Sequence, residues 1–351
     1  MKKKLLPIVG ISCGDPNGIG IEIILKSLCD KRILEFFTPV IFSNYQLLST
    51  QTAFFNLGLK FNIIKYGERP KRGQINVVNA WENEFVTEFG KFTKISGEIS
   101  YKSLELTTMA IVDNNIDVMV TAPINKKNIQ NEKFSFPGHT DYLSDKFNGE
   151  SLMFMISEKL KIGLLTDHVA INKIVSKINA EKIKKKISIM NKSLVIDFGI
   201  LKPKIAVLSI NPHIGDGGVI GNEDEDILIP SLIDISKSGT LVSGPYSSDS
   251  FFGTGLYENY DAILAIYHDQ GLIPFKTLSF GEGVNFTAGL DKVRTSPDHG
   301  TAYDIAGKNI ADPTSFKNAI FSAIDIYKNR VFHKKMLETP FLEPKNKRNN
   351  K

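Results

Sequence analysis

Cysteine is almost missing from this chain: Cys13 and Cys29 are the two in 351 residues. Two cysteines so placed form no disulfide framework and no Cys-x-x-Cys metal motif, so free thiols in a reducing compartment are expected. Long apolar runs are absent too. The start, MKKKLLPIVGISCG, mimics a secretion signal, but Pro7 and Gly10 break its short apolar stretch, which reads better as a buried first strand. Nothing approaches a membrane-spanning length, and the expected location is the cytoplasm. The dinucleotide fingerprint G-x-G-x-x-G is also lacking. Gly14, Gly18 and Gly20 follow a strand and open a helix in a different order, so any nicotinamide cofactor binds by a non-Rossmann route.

A basic body is the last absence. The net charge is +5, which raises the question of a nucleic-acid partner. Lys2, Lys3 and Lys4 carry three of those charges. Lys345, Lys347, Arg348 and Lys351, less Glu343, carry a net three more, so the body between them is left at −1. A nucleic-acid footprint needs a basic face on the folded body, and none is expected. The sequence is expected to divide into one folded unit over 5–340 and a basic, disordered tail over 341–351.

What is present is strand and helix in alternation. Ile8–Ser12, Pro39–Phe42, Asp117–Thr121, Ile162–Thr166, Lys204–Ser209 and Ala262–Tyr267 are short, β-branched and apolar throughout, as strands buried on both faces must be. Helical patterns cover Gly20–Cys29, Ser96–Asn114, Ala180–Phe198 and Ser315–Asn329. Such alternation predicts an open α/β sheet with helices on both faces. Two lobes around a cleft fit this pattern, with no linker to mark a boundary.

Five strand ends run into polar turns: VGISCGDPNGIGIE, DVMVTAPINK, IGLLTDH, IAVLSINPH and AILAIYHDQG. Ligands in open α/β sheets gather at such ends. Three of the six histidines, His168, His213 and His268, follow apolar strands within a few residues, which brings them toward one edge of the sheet. A lone histidine is more often a satisfied hydrogen-bonding residue. Three at equivalent strand ends suit a divalent ion such as zinc or cobalt with open positions for substrate. On spacing alone both readings stand. Asp167, Asp216 and Asp269 are candidates for fixing the imidazole tautomers.

Anion recognition is the second theme. Lys276, Asn285 and Arg294 fall in a glycine-rich stretch after His268, where cationic donors and close backbone approach suit a phosphate. FPGHTDYL adds His139 and Thr140 at a glycine turn opening a helix, a position that favours anions.

Taken in order, GDPNGIGIE, TAPINK, FPGHTDYL, NPHIGDGG, GPYSSDSFF, YHDQGLIPFK, GVNFTAGL and VRTSPDHGTAYDIAG resemble the 4-hydroxythreonine-4-phosphate dehydrogenases of pyridoxal phosphate biosynthesis, over nearly the whole chain. The resemblance implies an isocitrate/isopropylmalate dehydrogenase-like fold and a homodimer with an active site shared across the interface. It implies NAD or NADP as oxidant and a divalent metal (zinc, cobalt or magnesium) on His168, His213 and His268. Substrate contacts fall on His139, Thr140, Lys276, Asn285 and Arg294. The loop DHGTAYDIAGKNIADP is similar to the adenosine-side loop of isocitrate and isopropylmalate dehydrogenases, which makes His299, Gly300, Thr301, Ala302 and Asp304 cofactor-side residues. Asp312 stands where those enzymes carry Asn. Asp249 and Asp269 flank the metal motifs and are the candidates for a general base. Ser247, Ser248 and Ser250, and the missing proline after Gly289–Leu290, depart from the usual family pattern. They leave room for a paralogue acting on a phosphorylated threonate or erythronate.

Overall fold

A computed structural model of the protein describes residues 6–338. The expected basic tail, 341–351, lies outside them, as do Lys2, Lys3 and Lys4. The strands in chain order are β1 (Ile8–Ser12), β2 (Thr38–Ser43), β3 (Phe61–Ile63), β4 (Ile75–Asn79), β5 (Val118–Thr121) and β6 (Gly149–Ile156). They continue with β7 (Lys161–Leu164), β8 (Lys204–Leu208), β9 (Leu241–Tyr246), β10 (Ala262–Ala265), β11 (Val284–Leu290) and β12 (Arg294–Pro297). They form a single 12-stranded sheet in the order β3-β4-β2-β1-β5-β12-β11-β6-β7-β10-β8-β9.

The six apolar runs read from the sequence are β1, β2, β5, β7, β8 and β10, each within a residue or two of its expected bounds. Their burial on both faces follows from alternation. In β10, Ala262 and Leu264 join one core cluster, while Ile263 and Ala265 join another on the opposite side. Helices cover both faces. The long helix Thr314–Glu338 packs on β5, β11 and β12, and the helix Lys94–Val112 packs on β1, β2 and β5.

Strand direction changes in the middle of the sheet. β1, β2, β3, β4, β5 and β12 are mutually parallel, and β7, β8, β9 and β10 form a second parallel block. Three antiparallel pairings, β12 with β11, β11 with β6 and β6 with β7, join the blocks. An odd number of reversals leaves the two blocks running in opposite directions. The three histidine-bearing strand ends, after β7, β8 and β10, therefore share one edge as expected. The ends of β1 and β5 do not share it.

The two faces of the sheet differ at this reversal. On one face a continuous apolar cluster crosses it, through Val118 and Val120 of β5 and Val284, Phe286 and Ala288 of β11. On the other face the apolar layer is split into two separate clusters. The gap is floored by Thr121, Asn285, Arg294 and Ser296, polar residues at the alternate positions of the same strands.

Candidate functional site

A cavity of about 230 Å³ occupies this gap. Thr121, Asn285, Arg294 and Ser296 form its floor, with Met153 and Met155 from β6. His139 and Thr140 enter from the start of the helix His139–Lys146, whose preceding Gly138 has a fully extended φ of 179°. His168 follows β7. His268 opens the helix His268–Leu278 after β10, where a turn alone was expected. Lys276, one face further along that helix, reaches back with its Nζ 3.1 Å from the carbonyl of Asp298. All five proposed substrate contacts thus line one cavity, together with His168, His268, His299 and Gly300.

Its electrostatics favour an anion. Arg294 is 2% exposed, and its guanidinium donates to hydroxyls alone. Nε and Nη2 donate to Thr121 Oγ1 at 3.0 and 2.6 Å, and Nη1 to Thr287 Oγ1 at 3.2 Å. No carboxylate pairs with it among the described residues. Burial without a counter-charge pulls its pKa down to about 9, the mark of a cation that an incoming anion would stabilise. His139 is held well below the usual imidazole value by burial and by the neighbouring charges of Arg294 and Lys126, so it is neutral. Three polar atoms here are buried without a partner: His139 Nε2, Asn285 Oδ1 and His299 Nε2. Such atoms are costly in a finished core and expected in a site awaiting its ligand.

His168 and His268 lie side by side with ring centroids 5.8 Å apart. His268 Nδ1–H donates to Asp269 Oδ1 at 2.7 Å, which leaves Nε2 as the free lone pair and makes Asp269 a tautomer-fixing partner. Asp167 instead takes the backbone N–H of His168. Lys126 Nζ lies 3.1 Å from His168 Nε2. Burial and the Lys126 charge lower the His168 pKa, favouring the neutral imidazole that metal ligation requires.

Over residues 35–323 the sequence matches the family described as pyridoxal phosphate biosynthetic protein PdxA. The chain belongs to this family. It is 44% identical over 324 residues to the 4-hydroxythreonine-4-phosphate dehydrogenase of Bacteroides thetaiotaomicron, covering 92% of this chain and 89% of that one. It is 34% identical over 331 residues to a protein of Oceanobacillus iheyensis named for D-threonate 4-phosphate, covering 93% and 99%. Among solved structures, the 4-hydroxythreonine-4-phosphate dehydrogenase of Klebsiella pneumoniae superposes with a TM-score of 0.80 at 30% identity, covering 93% and 99%.

Not every expected residue of this PdxA-family chain reaches the cavity. His213 lies in an exposed loop near Asp249 and is not among the residues lining the cavity. Among the described residues no three His, Cys, Asp or Glu side chains cluster as one metal ion would require. The loop itself is unusual: from His213 to Gly218 all six residues have positive φ, including the non-glycines His213, Ile214 and Asp216 at 51°, 60° and 46°. Left-handed backbone is costly outside glycine. The loop is anchored at its base by the fully buried Asp224, whose carboxylate accepts the N–H groups of Ile210 and Asn211, both at 2.8 Å.

Asp249 and Asp269 line a shallow neighbouring groove rather than the cavity. Ser247 Oγ–H donates to Asp249 at 2.7 Å and holds its pKa below the ordinary carboxylate value. Of the cofactor-side residues, His299 and Gly300 line the cavity. The Thr301 carbonyl accepts from Ile19, Ala302 has a φ of 41°, and Asp304 is exposed. Lys126, Asp141, Thr121 and Ser296 also line the cavity, beyond the residues expected from the sequence. Lys126 was visible within TAPINK. The inward aim of Thr121 and Ser296 depends on strand register.

Proposed function

We propose that this chain oxidises 4-phosphooxy-L-threonine with NAD or NADP. The product is 2-amino-3-oxo-4-(phosphooxy)butanoate, which loses CO₂ to give 3-amino-2-oxopropyl phosphate, on the route to pyridoxine 5'-phosphate. The observation that carries this reading is the buried guanidinium of Arg294, without a carboxylate partner among the described residues, in a cavity that also holds the orphaned His139 Nε2 and Asn285 Oδ1. Arg294 and Lys276 offer a phosphate cationic donors, and His139, Thr140 and the side-chain NH2 of Asn285 offer neutral ones; Asn285 Oδ1 accepts, from a hydroxyl or ammonium of the substrate. The catalytic unit is one chain segment, 5–340, with an isocitrate/isopropylmalate dehydrogenase-like arrangement of two lobes about the cavity, acting in the cytoplasm.

Phosphate held by Arg294 and Lys276 fixes the far end of the substrate and brings its secondary hydroxyl toward His168 and His268. Those imidazoles, with Asp269 holding the tautomer of His268, would hold a divalent ion (zinc, cobalt or magnesium). When bound, that ion supplies Lewis-acid polarisation of the hydroxyl and, later, of the ketone. Oxidation takes a proton from the hydroxyl and a hydride from its carbon, and a bound nicotinamide would supply the hydride acceptor. His299, Gly300, Thr301, Ala302 and Asp304 orient that cofactor. Asp249 and Asp269, which line the groove beside the cavity, are the carboxylates offered as proton acceptors once a second copy completes the site; within one chain neither lines the cavity. The third imidazole is His213 of a second copy in a homodimer. Its exposed position near Asp249, beside the exposed Val219 and Ile220, supports contribution across an interface rather than within the chain.

The relative named for D-threonate 4-phosphate, at 34% identity, supports a second reading, in which the substrate is a phosphorylated threonate or erythronate. NAD reduction measured with both substrates, with and without chelator, separates the two. Preference for the hydroxy acid would overturn the first reading, and chelator-resistant turnover would overturn the metal.

A further inference from the structure

The glycine turn after β1 resembles a phosphate cradle and is not one. Its N–H groups are already taken: Asp15 donates to the Pro123 carbonyl, Gly18 to the Asp15 carbonyl and Ile19 to the Thr301 carbonyl, at 2.9, 3.1 and 3.0 Å. Asn17 N–H donates to Asp15 Oδ1 at 3.0 Å. Its glycines admit protein rather than ligand. A Cβ on Gly14 would stand 2.3 Å from the Pro123 oxygen. One on Gly18 would stand 2.7 Å from the Thr301 oxygen, and one on Gly20 2.8 Å from that of Cys13.

The turn instead grips the loop that follows β12 at several points. Tyr303 Oη–H donates to Asp15 Oδ2 at 2.6 Å, and Asp15 is fully buried. Glu22, 1% exposed, accepts the Ala311 N–H at 2.9 Å. Lys26 donates to Glu22 at 2.7 Å and to the carbonyls of Asn309 and Ala311 at 3.0 Å each. Between these anchors the loop adopts positive φ at Ala302, Gly307 and Asn309, at 41°, 76° and 59°, a path that needs outside support at its two non-glycine residues.

We infer that the Gly14–Lys26 segment is the seat of the 299–311 loop, and that Asp15, Gly18 and Tyr303 are positioning residues for binding a nicotinamide nucleotide. This rests on the reading of His299–Asp304 as the cofactor side. Asp15 cannot touch the cofactor; it acts by holding Tyr303, and so the backbone from Thr301 onward.

Two variants test the seat. Tyr303→Phe keeps the ring against Phe92 (centroids 4.5 Å apart) and removes the bond to the Asp15 carboxylate. Gly18→Ala pushes a methyl against the Thr301 carbonyl without touching the cavity. Each is expected to raise the KM and Kd for NAD about 10- to 100-fold, in Tyr303→Phe because a hydrogen bond to a carboxylate is lost and in Gly18→Ala because the methyl displaces the Thr301 carbonyl. The KM for the phosphorylated substrate should stay near wild type, while the melting temperature falls by about 2–8 °C as Asp15 loses a donor or the Thr301 backbone shifts. If Tyr303→Phe does not fold, Gly18→Ala decides alone. Unchanged NAD affinity in a folded variant, or an equal rise in both KM values, overturns the inference. His299→Ala run alongside keeps the two ideas apart. If it too leaves NAD affinity unchanged, the cofactor-side reading has failed; if it alone weakens NAD, the seat has failed.

Discussion

The guanidinium of Arg294 rests on the hydroxyl of Thr121 across two adjacent parallel strands, 173 residues apart in sequence and 2.6 Å apart in space. The hydroxyl orients the fork without neutralising it, so the charge stays available to a ligand. Removing one charge-assisted contact to phosphate costs about 1.5–3 kcal/mol. Arg294→Ala and Lys276→Ala should therefore each lower kcat/KM roughly 10- to 200-fold. Both variants should also discriminate less than wild type between 4-phosphooxy-threonine and free 4-hydroxythreonine. Steady-state kinetics with both compounds checks this; an undiminished preference for the phosphorylated form removes these residues from the phosphate site.

The histidines make a separate prediction. His168→Ala, His213→Ala and His268→Ala should each lose bound metal, read by elemental analysis, and nearly all turnover. Because His168 and His268 adjoin within one chain and His213 stands apart, mixing His213→Ala with His268→Ala protein should restore part of the activity in hybrid dimers. No rescue after verified subunit exchange would mean that the site is not shared in this way.

Acid should weaken the free protein through His139. Its folded pKa is depressed by burial and by Arg294 and Lys126, while the unfolded chain titrates near the ordinary value of 6.5. Below that pH the unfolded state binds a proton that the folded state refuses, so stability falls as pH falls. The slope from this one group is at most about 1.4 kcal/mol per pH unit. His168, also depressed, adds in the same direction. Urea unfolding at pH 5.5 and 7.5 should show a shallower pH dependence for His139→Gln than for wild type. Equal slopes would show that His139 is not held neutral.

Asp224 carries a prediction about stability. Replacing it with Ala strands the N–H groups of Ile210 and Asn211, each worth about 1–3 kcal/mol when buried and unpaired. Asp224→Ala should lose about 2–6 kcal/mol in urea denaturation, with Asp224→Asn intermediate because one acceptor oxygen survives. Wild-type stability in Asp224→Ala would show that the left-handed loop supports itself.

The interior strands were legible because burial on both faces writes itself as unbroken apolar runs. β1 and β8 needed almost no adjustment. β11 and β12 were not read as strands. Asn285 and Arg294 interrupt their apolar pattern because they face the cavity, and their glycines invited a loop reading. The same polarity made the substrate residues legible while it hid the elements carrying them. His213 is the opposite case: its motif is plain in NPHIGDGG, yet no spacing argument reveals that six successive left-handed residues carry it away from its fellows. Strand direction was likewise out of reach. Whether β5 and β7 run together or opposed depends on the antiparallel pairings of β6 and β11, which local sequence does not record.

The place of β12 in the sheet bears on how the protein can be made. β12 pairs with β5 on one side and β11 on the other. The block formed by the first third of the chain therefore keeps β5 as an open edge until almost three hundred residues have left the ribosome. Val118, Met119 and Val120 on that edge are fully buried in the finished protein. An unpaired apolar strand of this kind is prone to join other chains. Truncation before Arg294 should thus produce aggregates during synthesis rather than a smaller folded unit, and chaperone demand should be concentrated in the interval before the final strand and helix emerge.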